Sequence, residues 1–299
     1  MITLEYSSMC LNEDNYRERI DQAQKLAGDS RIRIGIQIHN SIEKGLFEKL
    51  IALKGELPIT VHSPVFSKYF INLAHPDFNP ADAILKESVR YLERAGTRLL
   101  FFHGFFMTEE MILHDMKNYR KTMQDNIPEK YSYNRSFIMN PEFFDTEEFR
   151  KYRQTFIRNY EKARNLYPDY IICLENDFTG IGSGLQRPRE IFELVHDLWF
   201  DLGHFWCSSL LFGFDYYEMC DRIIREKKIH GVHINHNLMN SRTKIEDLKD
   251  SHTHLHVKSD QDLGPVIRKL RDKGVEVFTL EILDGDIEDM KILYDWICS

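Results

Sequence analysis

Short apolar segments that end in metal-binding side chains alternate with helical segments along this chain, and this pattern most constrains its fold. Six such segments occur: TVHSP (60–64), LLFFHG (99–104), IICLEND (171–177), LWFDLGH (198–204), GVHINHN (231–237) and VFTLEI (277–282). Two more strand candidates precede them, at 1–6 and 31–38, and the second has isoleucine at alternate positions. The chain therefore offers eight candidate strands.

Helical segments separate these strands. They are expected at 16–27, 42–53, 80–95, 146–166, 188–195, 216–226, 261–273 and 286–296. Strands joined through helices pair in parallel, and eight such units predict an α/β protein, a (β/α)8 TIM barrel forming one domain over 1–299. A doubly wound open sheet is the weaker alternative, because no glycine-rich phosphate loop follows the first strand.

The fourth crossover, at about 105–168, is longer than an ordinary barrel unit. It carries a cluster of aromatic residues, namely Tyr131, Tyr133, Phe137, Phe143 and Phe144. Because its first part follows the carboxyl end of a strand, the segment is expected to form a lid or wall over the catalytic face. The alternative is a helical hairpin that packs on the outside of the barrel.

Composition narrows the class of protein further. A net charge of −8 and a pI near 5.9 argue against a generally basic nucleic-acid-binding protein. The five cysteines form no Cys-x-x-Cys pair, which favours free thiols in a reducing compartment and predicts a cytoplasmic location. No run of about 18 apolar residues occurs, so no association with the interior of a membrane is expected.

The polar ends of the apolar segments form a candidate metal site. Ionisable residues avoid burial unless they are paired or bind a metal, and parallel barrel strands bring their carboxyl ends together. The candidate donors are His62, His103, Glu175, Asp201, His204, His233, Asp250, His252 and Glu281. Nine donors exceed the need of one ion and predict two or three ions that share carboxylates, an arrangement suited to hydrolysis. The remaining histidines, His39, His254 and His256 among them, are interpreted as surface or core residues.

Several segments together resemble the endonuclease IV (AP endonuclease family 2) branch of the xylose isomerase-like TIM barrels. These are YFINLAHP (69–76), ENDFTGIGSGL (175–185), Asp201-x-x-His204, GVHIN (231–235) and Asp250-Ser251-His252. The resemblance implies three zinc ions and cleavage of DNA on the 5′ side of an abasic site. One ion would take His62, His103 and Glu175, the second Glu175, Asp201, His233 and Glu281, and the third His204, Asp250 and His252.

The resemblance also implies roles beyond metal binding. Glu175 and Glu281 are expected to be catalytic, and Tyr69 and Phe70 match a pair that wedges into duplex DNA. Three asparagines complete the residues expected to contact the substrate, namely Asn72, Asn176 and Asn235. The chain departs from the family where His256-Val257-Lys258 replaces Gly-Glu-Gly and where the loop 39–45 holds only Lys44 as a basic residue.

Three functional hypotheses follow. The first is a zinc-dependent phosphodiester hydrolase that acts on abasic-site DNA. The second is an isomerase or epimerase of a small sugar or sugar phosphate, which would use Glu175, Asp201, His233 and Glu281 with one Mn²⁺ or Mg²⁺ ion. The third is a barrel without catalytic activity that binds a sugar or a protein partner, which the complete set of nine donors disfavours.

Overall fold

A sheet of eight parallel strands forms the centre of the computed structural model, which describes residues 1–28 and 31–299. The strands are β1 (Ile2–Ser7), β2 (Ile32–Ile38), β3 (Ile59–Val61), β4 (Leu99–Phe102), β5 (Ile171–Glu175), β6 (Asp197–Asp201), β7 (Lys228–Ile234) and β8 (Val277–Leu280). Their order is β3-β2-β1-β8-β7-β6-β5-β4. A parallel bridge between His62 and Phe101 joins the two outer strands. The predicted TIM barrel is therefore confirmed.

Ten α-helices surround this sheet in the described part of the chain. They are α1 (Tyr16–Ala27), α2 (Lys44–Ile51), α3 (Asn79–Ala95), α4 (Tyr119–Asn126), α5 (Glu147–Leu166), α6 (Pro188–Leu194), α7 (Leu202–Phe212), α8 (Tyr216–Glu226), α9 (Gly264–Asp272) and α10 (Ile287–Cys298). The eight predicted helices are all present, with ends that differ by at most a few residues. No helix among the described residues has the length and apolar character needed to cross a membrane.

Helix α7 corrects the expectation of a strand that continues to His204. Strand β6 ends at Asp201, and the Asp201 carboxylate accepts a hydrogen bond of 2.6 Å from the His204 amide as the N-cap of the helix. Most of α7 is buried on all sides, so its sequence lacks the periodic polar face by which a helix is recognised. His204 consequently lies in the first turn of a helix, one turn beyond the strand end.

The long fourth crossover has two parts with different positions. Residues 105–145 lie at the carboxyl ends of the strands, where Phe106 bridges Ser183 and Ile138 bridges Gly180 in the loop after β5. Helix α5 then returns along the outside of the barrel, with the Tyr160 hydroxyl donating to the Ile172 carbonyl at 3.1 Å. The first part thus forms a wall over the strand ends, and one outer helix stands where the second alternative placed a helical hairpin.

The barrel interior contains both an aromatic pair and a buried polar layer. Phe101 and Trp199 stack inside it with ring centroids 3.9 Å apart. Nearby, the Glu5 carboxylate accepts hydrogen bonds of 2.8 Å from the hydroxyls of Thr60 and Thr279. Thr60 and Thr279 precede His62 and Glu281 by two residues, and alternate residues of a strand point to the same side. The buried polar layer around Glu5 therefore lies directly beneath the metal donors.

Candidate metal centre

The predicted metal donors meet at the carboxyl ends of the barrel strands. Glu175 and Asp201 are the last residues of β5 and β6, and His233 lies near the end of β7. His62, His103 and Glu281 each follow closely on the end of β3, β4 and β8. Because these ends of parallel strands share one rim, the fold brings together side chains that are far apart in the sequence.

Glu175 is the common member of two donor groups. Its Oε2 atom lies 2.9 Å from His62 Nε2 and 3.8 Å from His103 Nε2. Its Oε1 atom lies 2.8 Å from His233 Nδ1, which in turn is 3.5 Å from Asp201 Oδ2 and 3.3 Å from Glu281 Oε2. Within each group, one ligand atom per residue lies within 4.8 Å of all the others. The Glu175 carboxylate can therefore bridge two ions.

The third predicted group lies beside the first two. Asp250 Oδ2 is 3.0 Å from His204 Nε2 and 2.8 Å from His252 Nε2. The loop between β7 and α9 supplies Asp250 and His252, whereas α7 supplies His204. The structure thus brings all nine predicted donors into one rim cluster.

Several donor atoms in this cluster are buried without an aligned hydrogen-bond partner among the described residues. Glu175 Oε2, Asp201 Oδ2 and both carboxylate oxygens of Asp250 are in this condition, although ring nitrogens lie close to most of them. A buried carboxylate oxygen that lacks a partner is destabilising. Imidazole and carboxylate atoms that converge in this way suit a cation between them, so the donor set fits divalent metal ions.

Hydrogen bonds fix the orientation of most of the histidine rings. His103 Nδ1 lies 3.0 Å from Asp177 Oδ1, and His233 Nε2 lies 3.0 Å from Gln37 Oε1. Backbone carbonyls face the Nδ1 atoms of two more rings, that of Asn176 at His204 (3.0 Å) and that of Glu281 at His252 (2.8 Å). Each of these acceptors holds an N–H, which leaves the other ring nitrogen free to bind a metal. Such partners commonly orient metal-binding histidines.

Charge is unevenly distributed over the carboxylates of the cluster in the protein without metal. Burial raises the pKa of Glu281 to about 7, against the lowering effect of His233 and His252. Burial also acts to raise the pKa of Glu175, but positive charge on His233, His103 and His62 outweighs it and holds this pKa well below the usual range. The neighbouring histidines thus substitute for the positive charge that metal ions would supply.

The residues predicted to contact the substrate occupy different environments. Phe70 is buried and lines the cavity above the cluster, whereas Tyr69 and the three asparagines are not among the residues that line it. The Asn72 side chain bonds the backbone of Ala74, Phe106 and Thr108, so it holds two loops together. Asn176 exchanges two hydrogen bonds with the backbone of Asp201, and Asn235 is buried against Gly203. Asn72 and Asn176 thus have the contacts of scaffold residues, whereas both amide atoms of Asn235 are buried without a hydrogen-bond partner among the described residues.

One residue of the cluster was not predicted from the sequence. His39 was interpreted as a surface or core residue, but its Nε2 lies 3.4 Å from Glu281 Oε1, and it groups with His62 and Glu281. Its position just past the end of β2 was the available signal.

His254 and His256 form a separate group with Asp286 and Asp289 at the start of α10. Both Asp289 oxygens there accept backbone hydrogen bonds, which indicates a helix cap.

A cavity of about 240 Å³ opens above the rim cluster. Metal donors form its floor, with His62, His103, His204, Asp250, His252 and Glu281 among its lining residues. Residues of the fourth crossover form part of its wall, namely Phe106, Met116, Tyr119, Arg120 and Phe137. The crossover therefore encloses the space next to the donors.

Comparison with known families and structures agrees with this architecture. The family described as "Xylose isomerase-like TIM barrel" matches residues 46–297. A search of curated proteins finds no significant match.

Solved structures with the same fold differ in the function that their names give. A D-tagatose 3-epimerase-like protein superimposes with a TM-score of 0.62 at 16% identity, covering 99% of this chain and 97% of that one. Endonuclease IV from Thermus thermophilus superimposes with a TM-score of 0.52 at 14% identity and 99% coverage of both chains. The IOLI protein with a bound zinc atom superimposes with a TM-score of 0.51 at 14% identity, covering 100% of this chain and 94% of that one. At these identities the likeness establishes the fold alone.

Proposed function

Because this chain belongs to the xylose isomerase-like TIM barrel family, and because its rim carries nine metal donors, we propose that it is a metal-dependent phosphoester hydrolase. The observation that carries this proposal is the arrangement of the donors in three groups, two of which share Glu175. An enzyme that uses one ion has no need of the His62–His103 pair or of the group around Asp250. A centre with several ions uses all of them.

Three zinc ions are the proposed occupants. His62, His103 and Glu175 would hold one, Glu175, Asp201, His233 and Glu281 a second, and His204, Asp250 and His252 a third. Imidazole and carboxylate donors suit zinc. When bound, such ions supply a water of lowered pKa and positive charge for the oxygens of a phosphoryl group.

The side chains of this protein would hold the metal ligands in fixed positions during the proposed reaction. Glu175 directs Oε2 towards His62 and Oε1 towards His233, which fixes the spacing of the two groups that it joins. Asp177 and Gln37 hold the rings of His103 and His233. Glu175 and Glu281 are the proposed catalytic carboxylates, since both lie in the group of four donors, and Glu281 also lines the cavity. Preorganised groups of this kind lose little free energy to reorientation during reaction.

Isomerisation or epimerisation of a small sugar or sugar phosphate is the second candidate function. The observation that favours it is the compact group of Glu175, Asp201, His233 and Glu281, which would bind a single Mn²⁺ or Mg²⁺ ion on its own. In that case Glu175 and Glu281 would transfer protons to and from the sugar. The remaining five donors would then have no assigned role.

Metal stoichiometry distinguishes the two candidates. We expect two or three zinc ions per chain by elemental analysis of the purified protein, and hydrolysis of bis(p-nitrophenyl) phosphate or of an abasic-site oligonucleotide. His204→Gln should remove one ion, whereas the control His196→Gln, at an exposed histidine, should remove none. One manganese or magnesium ion per chain, with no phosphoesterase activity, would instead support isomerisation and overturn the hydrolase proposal.

A further inference from the structure

We propose that the substrate is a small phosphodiester whose retained ester group, the one that does not leave, carries a flat aromatic ring bound beside the metal centre against an aromatic wall. This inference rests on the proposed hydrolase function and names the class of its substrate. The aromatic wall is defined as the rings of Phe70, Tyr119, Phe137 and Phe178, all of which line the cavity. A flat group that stacks on such rings gains free energy whatever its exact structure.

The aromatic wall is continuous and ends at a metal donor. Phe70 contacts Tyr119 with ring centroids 5.8 Å apart, and Tyr119 contacts Phe137 at 6.0 Å. Phe137 and Phe178 are nearly parallel, at 13° and 6.3 Å. Phe178 in turn lies 6.1 Å from the ring of His204. A ring packed on this wall therefore sits next to a phosphoryl group held at the donors.

The wall is built into the fold, because glycines of the loop after β5 make room for side chains of the fourth crossover. A Cβ atom added at Gly180 would lie 2.8 Å from Phe137 Cε1, and one at Gly184 would lie 2.5 Å from Phe105 Cδ1. Backbone hydrogen bonds join the same segments, with the Ile181 amide donating to the Phe137 carbonyl at 2.8 Å. Phe137 is thus fixed in position before a substrate arrives, which reduces the entropy lost on binding.

The charge of the cavity disfavours duplex DNA as the substrate. Duplex DNA binds mainly through lysine and arginine contacts to its phosphates. Arg120 is the sole lysine or arginine among the described residues that line the cavity, and the whole chain has a net charge of −8. A small aromatic ester does not depend on such contacts.

The reaction is a hydrolysis that balances with water alone. The oxygen of water forms a new bond to phosphorus, and the bond from phosphorus to one ester oxygen breaks. The leaving oxygen departs with one proton from the water, and the phosphoryl product keeps the other ester group. No oxidant, reductant or second substrate takes part.

Two diesters with the same leaving group test the proposal. For the zinc-loaded enzyme, kcat/KM should be about tenfold higher for p-nitrophenyl phenyl phosphate than for p-nitrophenyl methyl phosphate. Phe137→Leu and Phe178→Leu should each move this ratio towards 1, whereas the control Phe143→Leu should preserve it, because Phe143 packs on Tyr131 away from the cavity. Phenylphosphonate should bind about tenfold more tightly than methylphosphonate by isothermal titration calorimetry, and this preference should fall in the same two variants.

The possible failures are distinguishable. Cleavage of both diesters at equal rates, with equal binding of the two phosphonates, would overturn the aromatic substrate and leave the hydrolase intact. Much faster cleavage of abasic-site duplex DNA than of either diester would also overturn it, in favour of a nucleic-acid substrate. Cleavage of none of these substrates by the metal-loaded protein would overturn the hydrolase function itself.

Discussion

Two buried glutamates inside the same barrel have opposite electrostatic environments. Glu175 lies among His62, His103 and His233, and their positive charge holds its pKa well below the usual range despite burial. Glu5 lies one layer deeper, where burial raises its pKa to about 7, and the hydroxyls of Thr60 and Thr279 and the charge of His233 offset this only in part. Depth of burial therefore does not decide the charge of a carboxylate in this protein. The balance of neighbouring charges decides it, since Glu281 lies beside His233 and His252 but also near Glu175 and Asp201, and burial still raises its pKa to about 7.

A chain of hydrogen bonds connects the two glutamates. The Thr279 hydroxyl bonds the Glu5 carboxylate, the Gln37 amide contacts the same hydroxyl at 3.3 Å, and the other amide atom of Gln37 faces His233 at 3.0 Å. His233 then reaches Glu175 at 2.8 Å. The lower layer thus supports the layer of candidate metal donors, and substitutions along this chain of hydrogen bonds should separate the two roles.

The largest effect is expected from Glu175→Gln. An amide cannot supply the negative charge that two donor groups share, so bound metal should fall to one ion or fewer per chain. Hydrolysis of a phosphodiester should fall by about 10³-fold or more, in line with the several kcal/mol that metal ions contribute to such reactions. Elemental analysis and initial rates measure both.

The control for this variant is Glu110→Gln, at an exposed position of the fourth crossover. It makes the same change of charge without touching the rim cluster and should retain metal and activity. Full metal content in Glu175→Gln would contradict the assignment of Glu175 as a bridging ligand.

The next effect concerns stability and Glu5→Gln. Since the pKa of Glu5 rises from 4.5 to about 7 on folding, the folded protein keeps a proton that the unfolded chain releases. The wild-type free energy of unfolding should therefore fall by about 3 kcal/mol as pH rises from 4.5 through 7, and the variant should lack this loss. Urea denaturation of both proteins in chelator, at several pH values, gives the difference. A difference that stays constant over this range would contradict a neutral Glu5.

A smaller effect is expected from Gln37→Met, which keeps the volume of the side chain and removes the acceptor for His233 Nε2. Metal affinity should fall about 10- to 100-fold, as is typical when the partner of a metal-binding histidine is lost. Competition with a chromophoric chelator measures the dissociation constant. Unchanged affinity would show that packing alone orients the His233 ring.

The smallest effect is the influence of Glu5→Gln on metal binding. The amide oxygen of the substituted side chain would still accept a hydrogen bond from Thr279, so the support beneath His233 should persist and metal stoichiometry should stay unchanged. Loss of an ion in this variant, measured by elemental analysis, would show that metal binding depends on the charge or hydrogen bonds of Glu5.

The sequence predicted the barrel, which the structure confirms, because strands and helices are visible in the local pattern, and the structure places the nine candidate donors near one rim. A strand that ends in His62 or Glu175 is visible as an apolar run with a polar end, and parallel strands place such ends on one rim. The helix from Leu202 to Phe212 was missed because its nearly complete burial removes the amphipathic period. His204 was consequently assigned to a strand, and its role as a metal donor stays a prediction.

Contacts between distant segments account for what the sequence did not reveal. His39 joins the cluster through Glu281, which lies over two hundred residues away in the chain. Among the aromatic residues noted in the fourth crossover, Phe137 lines the cavity, while Tyr131, Phe143 and Phe144 are buried away from it. All four residues are aromatic, so residue type does not distinguish them, and tertiary packing alone decides which ring faces the cavity.

The seam between β3 and β4 gives the rim cluster a mechanical consequence. These strands are joined by the single bridge from His62 to Phe101, with the Ser63 amide donating to the Phe101 carbonyl at 3.0 Å. His62 stands on one side of the seam and His103 on the other, and both face Glu175. An ion held by these three residues would link β3 to β4, which the described residues join by one bridge. Metal binding would then stabilise the closure of the barrel.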